Sequence, residues 1–464
     1  MSGVRKKKLR RHLDRQQLAA EPDTQLDVDD LIEHLVSRRT GVIVDLAAAS
    51  RDPSEPHLPL VWRARISNHA FAEETEDSHV ACSGKGFTTR AAWISCVGEA
   101  VERYSAGRWS PDELVMATRA ELPGDAVDPR DLVLYEPERY DDLPYAPYAD
   151  ETRLAWLTGC SLTDASEIWV PAIAALMEFT VGDSGEFLFP ITSNGLAAGP
   201  TLQAAVTSAI FEVLERDAFM ITWSNQLPAR RLDGATHPDA DVRDLVLGYR
   251  RRGVRLELFE LPTDHPVCVV MGVAFQEGGF GGPAATVGLG AHVDPARAAR
   301  QAVLEVGQVR PAFRERARGP DAGRIAELAG DPQLVTTMED HSLLYADPSM
   351  VSAFDFLYGQ HRSWEELALD VAAARSPGDD LDQVLDHFDA VGQNVIYVNL
   401  TAPDVERLGL FTARAILPGF QPIWFGHHEP RLGGTRMFEL PHRLGLRERP
   451  STPATLNPLP HPLA

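Results

Sequence analysis

Residues 86–103 read G-F-T-T-R-A-A-W-I-S-C-V-G-E-A-V-E-R, and residues 199–216 read G-P-T-L-Q-A-A-V-T-S-A-I-F-E-V-L-E-R. The second stretch repeats the first 113 positions later with eight identities, among them the leading glycine and the Glu-x-x-Glu-Arg ending. We predict that each unit is a tight glycine turn followed by a helix, over residues 89–104 in the first unit and 201–223 in the second. Carboxylates three residues apart lie on one helix face. The repeat therefore predicts two acidic helix edges that one fold could bring together around hard cations and a polyphosphate.

The two acidic edges differ in their surroundings. On the first helix, Glu99 and Glu102 lie to one side of an apolar stripe, as a solvated polar face also would. The second helix is apolar on nearly every side, so Glu212 and Glu215 are predicted to be interior, with Arg216 as the nearby cation. Buried carboxylates need a metal, arginines or protonation. A structural salt-bridge network and a divalent metal between the helices both satisfy this need. We favour magnesium because the set is oxygen-rich and lacks Cys and His.

A third helix is a degenerate relative of the repeat. It spans about Gly290–Arg310, begins at the N-cap pair Asp294-Pro295 and is expected to stop at Pro311. Glu305 and Gln308 repeat the three-residue spacing of the other two helices. This helix predicts a further carboxylate for the same site.

The glycine-containing segments before the first two helices are candidate phosphate sites, because helix starts present free backbone N–H groups with partial positive charge. They are Gly84-Lys85-Gly86 and Ser193-Asn194-Gly195. Lys85 is the single lysine outside Lys6, Lys7 and Lys8, which is consistent either with an arginine-favouring composition or with a flexible charge placed near phosphate. Neither segment is a P-loop, so the predicted nucleotide site is of another kind.

Composition limits the possible functions. The net charge of −23 over 464 residues argues against nucleic acid or an anionic membrane as a partner, since either needs a broad basic face. No apolar run is long enough to span a bilayer, and the four cysteines lack C-x-x-C or zinc spacing. We expect reduced thiols and a cytoplasmic protein.

The chain is expected to be α+β, with mixed sheets flanked by helices. We predict a mobile basic tail at 1–30, an N-terminal segment at 31–64, a main domain at 65–440 and a proline-rich tail at 441–464. The basic tail is either simply solvated or a contact for a partner or an acidic leader.

Four separate motifs, in order and spacing, resemble the YcaO family: G-K-G-F-T-T-R-A-A-W-I-S-C-V-G-E-A-V-E-R-Y, S-N-G-L-A-A-G, E-V-L-E-R-D-A and E-V-G-Q-V-R. The resemblance covers roughly residues 65–440. It implies a fold that binds ATP and Mg²⁺ through helix glutamates without a Walker motif. Mg²⁺ would be held by Glu99, Glu102, Glu212, Glu215 and Glu305. The nucleotide would be held by Ser95, Arg216, Gln308 and Arg310, to which we add Lys85, Ser193 and Asn194 from the glycine-containing segments.

The C-terminal region resembles one subgroup, the azoline-forming peptide cyclodehydratases. The similar stretches are P-G-F-Q-P-I-W-F-G (418–426), R-L-G-G-T-R (431–436) and a P-x-P-x-P tail at Pro458, Pro460 and Pro462. A proline tail alone is typical of disorder. After these motifs, we expect it to reach the active site, where its three prolines and the Ala464 carboxylate take a catalytic part, the carboxylate as a base.

The implied chemistry starts with attack by a Cys, Ser or Thr side chain of a ribosomal precursor peptide on the preceding backbone carbonyl. ATP phosphorylates the resulting amide oxygen, and loss of phosphate leaves a thiazoline or oxazoline. No domain that reads leader peptides is evident, so a separate leader-binding partner is expected, and the resemblance also implies a homodimer. Thioamide or macrocyclic amidine formation is an alternative against which the tail argues.

Some positions depart from the family pattern. Pro200 stands where many members have Asn, and Gln203 and Ala204 stand where acidic residues are common. These departures leave open a noncatalytic peptide-binding scaffold that stimulates a partner enzyme.

Overall fold

The structure is a computed structural model that describes residues 9, 12–13, 28–50, 52–67, 80–278, 281–319, 321–374 and 378–463. Leu9 and Leu13 are 3% and 2% exposed and belong to the largest apolar core. The basic residues of the predicted N-terminal tail lie outside the described part of the chain. Among the described residues, no helix combines enough length and apolar character to cross a bilayer.

The helices of the described residues are named in chain order. They are α1 (Val28–Leu35), α2 (Thr89–Ala106), α3 (Ala172–Ala175), α4 (Leu202–Asn225), α5 (Ala240–Arg250), α6 (Pro295–Arg318), α7 (Ala322–Gly330), α8 (Met338–Leu344), α9 (Trp364–Ala374), α10 (Asp380–Val391), α11 (Pro403–Glu406) and α12 (Arg436–Arg443). Short 3₁₀ turns fill much of the connection between residues 111 and 139.

The strands form three sheets. They are β1 (Ile43–Ala48), β2 (Leu60–Ile66), β3 (Val80–Gly86), β4 (Val115–Ala117), β5 (Leu154–Ser161), β6 (Ser166–Pro171), β7 (Leu196–Gly199), β8 (Ala229–Leu232), β9 (Val254–Leu261), β10 (Cys268–Gln276), β11 (Ala285–His292), β12 (Tyr358–His361), β13 (Ile396–Asn399) and β14 (Phe411–Ile416). The sheet orders are β1-β2-β3, β11-β10-β9-β8-β12 and β4-β5-β13-β14-β7, with β6 paired to β5. Neighbouring strands are antiparallel except for β12 and β8, which run parallel. The predicted α+β class with mixed sheets is confirmed.

Each copy of the repeat is a strand followed by a helix that packs back onto it. The units are β3–α2, β7–α4 and β11–α6. Their N-caps are Thr88, Thr201 and Asp294, and the sequence analysis had predicted the one at Asp294. The predicted glycine turn before α2 is wrong, because Gly84, Lys85 and Gly86 are the last residues of strand β3. A Cβ on Gly84 would lie 2.0 Å from the backbone nitrogen of Cys96. The glycines therefore allow the helix to approach its strand closely, and this contact fixes where the helix glutamates project.

Helix α6 does not stop at Pro311 as predicted but continues to Arg318. Proline removes one backbone hydrogen bond from a helix. The turn that follows is nevertheless anchored, because Phe313 and Arg314 are 5% and 1% exposed. Tertiary packing therefore overrides the local stop signal.

Helix α4 is the centre of the molecule. Apolar residues surround it on nearly every side, as the sequence predicted, and it packs against β14 and β7 of one sheet and β11 of another. A buried ionic cluster ties this helix to the C-terminal region. Arg436 places Nη2 2.8 Å from Oδ2 of Asp217 on α4 and 2.6 Å from Oδ1 of Asp264. Asp217 also accepts a hydrogen bond from the Gln421 N–H.

Arg436→Met is expected to lower the free energy of unfolding by about 3–5 kcal/mol, because it leaves Asp217, which is 1% exposed, as a buried and unpaired charge. Urea unfolding of the variant and the wild type measures the difference. Arg443→Met is the matched control, since Arg443 also faces Asp264, at 3.4 Å, but its side chain is 54% exposed. The control should change stability by less than about 1 kcal/mol. Equal losses in the two variants would contradict the structural role assigned to Arg436.

Candidate functional site

Glutamates from three helices converge in one place. Glu99 and Glu102 come from α2, Glu212 and Glu215 from α4, and Glu305 from α6. Charges on one helix shift the pKa of carboxyls on another. The charge of Glu212 raises the pKa of Glu102, and the charge of Glu305 raises the pKa values of Glu99, Glu212 and Glu215. Their side chains are 13–31% exposed, so the cluster borders solvent without being freely solvated. We call these five residues the glutamate cluster.

Burial and mutual repulsion determine how readily the cluster ionises. Burial raises the pKa of Glu215 to about 8, and the charges of Glu305 and Glu212 add to the effect against that of Arg216. The pKa values of Glu102 and Glu212 are raised as well, chiefly by burial. Burial acts in the same direction on Glu305, but the charges of Lys85 and Arg216 outweigh it and hold the pKa below its usual value. Buried carboxylates that repel one another favour binding of a divalent cation, because its charge compensates theirs.

Basic side chains partly neutralise the cluster. Lys85 Nζ lies 2.6 Å from Glu305 Oε2, which joins strand β3 to helix α6. Arg216 lies 3.8 Å from both Glu212 and Glu215. Arg103, at the end of the first repeat, stands 3.9 Å from each glutamate of its own helix. These pairs form a salt-bridge network, which was one of the two interpretations that the sequence analysis gave for the buried carboxylates.

Arg414 of β14 is a site residue that the sequence analysis missed. It is 4% exposed, donates from Nε to Ala174 O at 3.1 Å and from Nη2 to Thr192 O at 2.7 Å. Burial lowers its pKa to about 10 against the charges of Glu212 and Glu102, which act in the other direction. Its Nη1 has no hydrogen-bond partner among the described residues. The available signal was one arginine inside the apolar strand F-T-A-R-A-I.

The segment before β7 lies next to Arg414. The Ser193 carbonyl accepts a hydrogen bond from the Leu196 N–H at 2.9 Å, and Asn194 has a buried Oδ1 without a partner in the described chain. Gly195 adopts φ +80°, and a Cβ there would lie 2.7 Å from Ala415 O. The segment is thus held tightly against β14, and the carbonyl of Thr192, two residues before Asn194, binds Arg414.

Ser95 and Gln308 also belong to the site's surroundings. Ser95 lies one turn before Glu99 on the same face of α2 and is half-buried. Gln308 donates to Ser83 Oγ at 2.6 Å and to Ser83 O at 3.1 Å, and the Ser83 N–H donates to Glu99 at 3.3 Å. Gln308 therefore links the third helix to the first acidic edge.

Arg310 is placed elsewhere. It is fully buried, its Nε lies 3.3 Å from Glu55, and its other nitrogens bond to Pro283 O, Thr286 and Gln276. Two residues along a helix correspond to about 200° of rotation, so Arg310 and Gln308 project from opposite faces of α6. The structure gives Arg310 a role in anchoring residue Glu55 rather than a place in the glutamate cluster.

The donor set fits Mg²⁺ and a nucleotide together. Within the described residues, no three His, Cys, Asp or Glu side chains form a ready-made metal cage. Mg²⁺ is usually bound by one or two carboxylates together with substrate phosphates and water, so a full protein cage is not required. The unpartnered atoms of Arg414, Arg103 and Asn194 are buried polar groups that a phosphate or nucleotide could satisfy.

The described part of the proline tail packs against helix α4. Pro458 is exposed, whereas Pro460 and Pro462 are buried, and His461 and Leu463 are 2% and 5% exposed. The His461 ring packs edge-on against Phe219 of α4, with centroids 5.6 Å apart. The pKa of His461 lies well below its usual value because of burial, with smaller contributions from His341 and then from Arg216. Ala464 lies outside the described residues.

The departures from the family pattern have structural counterparts. Pro200 directly precedes the N-cap Thr201 of α4. Gln203 donates from Nε2 to Asp379 Oδ2 at 2.8 Å, so its side chain is bound to the residue that caps α10. Gln203 is therefore engaged in holding two helices together.

Fold and site together describe a nucleotide- and Mg²⁺-binding protein without a Walker motif. The family model described as YcaO cyclodehydratase, ATP- and Mg²⁺-binding, matches residues 83–421. The chain belongs to the YcaO family.

Individual relatives are more distant. An uncharacterised protein of Methanothermobacter thermautotrophicus is 28% identical over 363 residues, which cover 76% of this chain and 85% of that protein. A solved heterocyclase in complex with substrate and cofactor matches with TM-score 0.76 and 24% identity, covering 94% of this chain and 58% of the heterocyclase. YcaO from Methanopyrus kandleri, bound with AMPPCP and Mg²⁺, matches with TM-score 0.58 and 21% identity, covering 90% of this chain and 91% of that one. These likenesses establish the fold, and this chain spans little more than half the length of the heterocyclase.

Proposed function

We propose that the protein is an ATP-dependent cyclodehydratase that converts Cys, Ser or Thr of a ribosomal precursor peptide to thiazoline or oxazoline. The observation that carries the proposal is the convergence of five glutamates from three helices, with the tail's His461 packed against Phe219 of the central helix α4. Membership of the YcaO family supports the ATP- and Mg²⁺-dependent chemistry.

The reaction makes an amide oxygen into a leaving group. The substrate side chain adds to the preceding carbonyl carbon and loses its proton. The former carbonyl oxygen takes the γ-phosphoryl group of ATP, and ADP leaves. Departure of phosphate together with the amide proton forms the C=N bond of the ring. The net change in the peptide is the loss of one water.

The chain contributes positioning and charge. Glu99, Glu102, Glu212, Glu215 and Glu305 would hold Mg²⁺, which neutralises charge on the phosphates. Arg414 and Arg103 have buried N–H groups available to phosphate oxygens, and such donors act strongly where water is excluded. Lys85 is bound to Glu305 and can exchange that carboxylate for phosphate as a point charge. Ser95, Ser193, Asn194, Arg216 and Gln308 would orient the nucleotide.

The tail is proposed to present its end to the peptide. Pro458, Pro460 and Pro462 direct the last residues toward α4, and the Ala464 carboxylate would move the protons of the attacking side chain and the amide. A separate leader-binding partner would deliver the peptide, and the active form is proposed to be a homodimer.

A noncatalytic scaffold that stimulates a partner enzyme is the second candidate. The contact between Gln203 and Asp379 favours it, because a position where an acidic residue is common in the family serves helix packing in this chain.

The tail argues against thioamide or macrocyclic amidine formation.

The expected result of incubating the protein with ATP, Mg²⁺, a precursor peptide and its leader-binding partner is a mass loss of one water for each ring formed. Mass spectrometry of the peptide measures it, and omission of ATP is the control. Stimulation of a partner enzyme without any nucleotide binding by this chain would favour the scaffold, and water loss that does not need ATP would contradict the proposed chemistry.

A further inference from the structure

Three successive carbonyl groups of the tail each accept a hydrogen bond from a different buried side chain. Trp223 Nε1 donates to Leu459 O at 3.0 Å, the Tyr345 hydroxyl donates to Pro460 O, and His341 Nδ1 lies 2.8 Å from His461 O. We propose that Trp223, His341 and Tyr345 form a socket that positions the tail for ring formation, with His341 as its principal positioning residue. This inference rests on the proposed cyclodehydratase function.

The chemistry of the tail explains why the socket binds it through carbonyl oxygens. Proline has no backbone N–H, so a segment with proline at every second position offers few donors and is recognised mainly through its carbonyl oxygens. Proline also restricts the segment to an extended conformation, which reduces the entropy lost on docking. A row of side-chain donors therefore suits this tail.

His341 is held in one tautomer by its two partners. Its Nδ1 faces a carbonyl oxygen and must donate, while its Nε2 accepts from the Gly426 N–H at 2.9 Å. Protonation of Nε2 would place its N–H against the N–H of Gly426. Burial also disfavours the charged ring and lowers the pKa of His341 to about 4. The ring is fully buried and stacks on His461 with centroids 4.1 Å apart. His341 thus joins the tail to the 418–426 segment through its ring and both nitrogens.

The socket is connected to the glutamate cluster through helix α4. Trp223 lies on α4, eight residues after Glu215, which corresponds to about 12 Å along the helix axis. The Trp223 ring packs edge-on against Tyr345, with centroids 5.5 Å apart. His461 Nε2 lies 2.6 Å from Trp424 O, which closes the socket from the other side. A shift of the tail in the socket would therefore move its end relative to the residues proposed to hold ATP.

Two variants test the socket in the full-length chain. His341→Phe keeps a buried ring but removes both hydrogen bonds, and Tyr345→Phe removes only the hydroxyl that bonds Pro460 O. Each should lower kcat for ring formation by about 10²-fold or less, as expected for misplacement of a reacting group, without raising KM for ATP. His341→Asn, which keeps a donor close to the Nδ1 position, should recover part of the lost kcat. Tyr358→Phe is the matched control, since Tyr358 bonds Arg255 on β9 and is 37% exposed.

Hydrogen–deuterium exchange of the C-terminal peptide supplies a readout that does not depend on activity. The amides of Asn457, Leu459, His461 and Leu463 should be protected in the wild type and in Tyr358→Phe, and should exchange faster in His341→Phe. Unchanged exchange, or a lost kcat that His341→Asn fails to recover, would overturn the socket. If the wild type forms no rings but the exchange pattern holds, the proposed function fails while the socket stands.

Discussion

Glu212→Gln is expected to abolish ATP-dependent ring formation, with a loss of at least about 10²–10³-fold, the effect of removing one preorganised charged group. Glutamine preserves the shape of the side chain but binds Mg²⁺ far less well. The variant should be at least as stable as the wild type, because burial raises the pKa of Glu212 and so disfavours its ionised form. Peptide mass spectrometry and thermal unfolding measure the two effects.

Glu186→Gln is the matched control for this prediction. Glu186 is also a buried glutamate, 3% exposed, but it accepts hydrogen bonds from the backbone of Ala155, Gly182 and Asp183, away from the cluster. Its replacement should cost about 1–3 kcal/mol of stability and leave ATP-dependent turnover unchanged. If Glu212→Gln instead lost stability and kept its activity, Glu212 would be a structural residue.

Removal of residues 458–464 is expected to abolish ring formation while Mg²⁺-dependent ATP binding persists. The tail contributes no residue to the glutamate cluster, so the nucleotide site should survive. Stability should fall, because the deletion removes the buried Leu463 side chain and leaves Trp223 Nε1 and His341 Nδ1 without acceptors. Assays therefore belong at a temperature where circular dichroism shows the truncated chain to be folded.

Single proline substitutions separate the tail's two ends. Pro460→Ala alters a buried position near the end of the tail, whereas Pro453→Ala alters an exposed position before the P-x-P-x-P stretch and serves as the control. The first should slow ring formation and the second should leave it nearly unchanged. Full activity of the chain that lacks residues 458–464 would show that the tail takes no part in the mechanism.

Local sequence features were sufficient to predict the repeat and its helices. The N-cap at Asp294 and the apolar surface of α4 are patterns within a few turns of chain, and the structure follows them. The sequence analysis also expected the acidic edges to come together, from the repeated Glu-x-x-Glu spacing and the need of buried carboxylates for a shared partner, and glutamates of different helices do act on one another's charge.

Features that depend on tertiary packing were not predictable in this way. Arg414 reaches the cluster only because β14 lies between β13 and β7, an order that no local pattern specifies. Arg310 carries the right chemistry in the right motif, yet the helix rotation directs it to Glu55. The socket depends on contacts more than 100 residues apart in sequence, such as His341 with His461.

The glycines of the Gly84-Lys85-Gly86 segment were assigned to a turn for a related reason. Glycine is equally suited to a turn and to a strand that a helix approaches closely. The choice is made by the neighbour, which is the backbone at Cys96, and the sequence alone does not place that neighbour. Lys85 is thereby presented from a strand, directly opposite Glu305 of α6.

Titration calorimetry of ATP into the wild-type chain, with and without Mg²⁺, tests the central claim most directly. The glutamate cluster and its arginines predict saturable binding of one ATP per chain that requires Mg²⁺ and is lost in Glu212→Gln. Binding that persists without Mg²⁺, or no binding at saturating ATP and Mg²⁺, would show that these carboxylates do not gather around a metal-bound triphosphate.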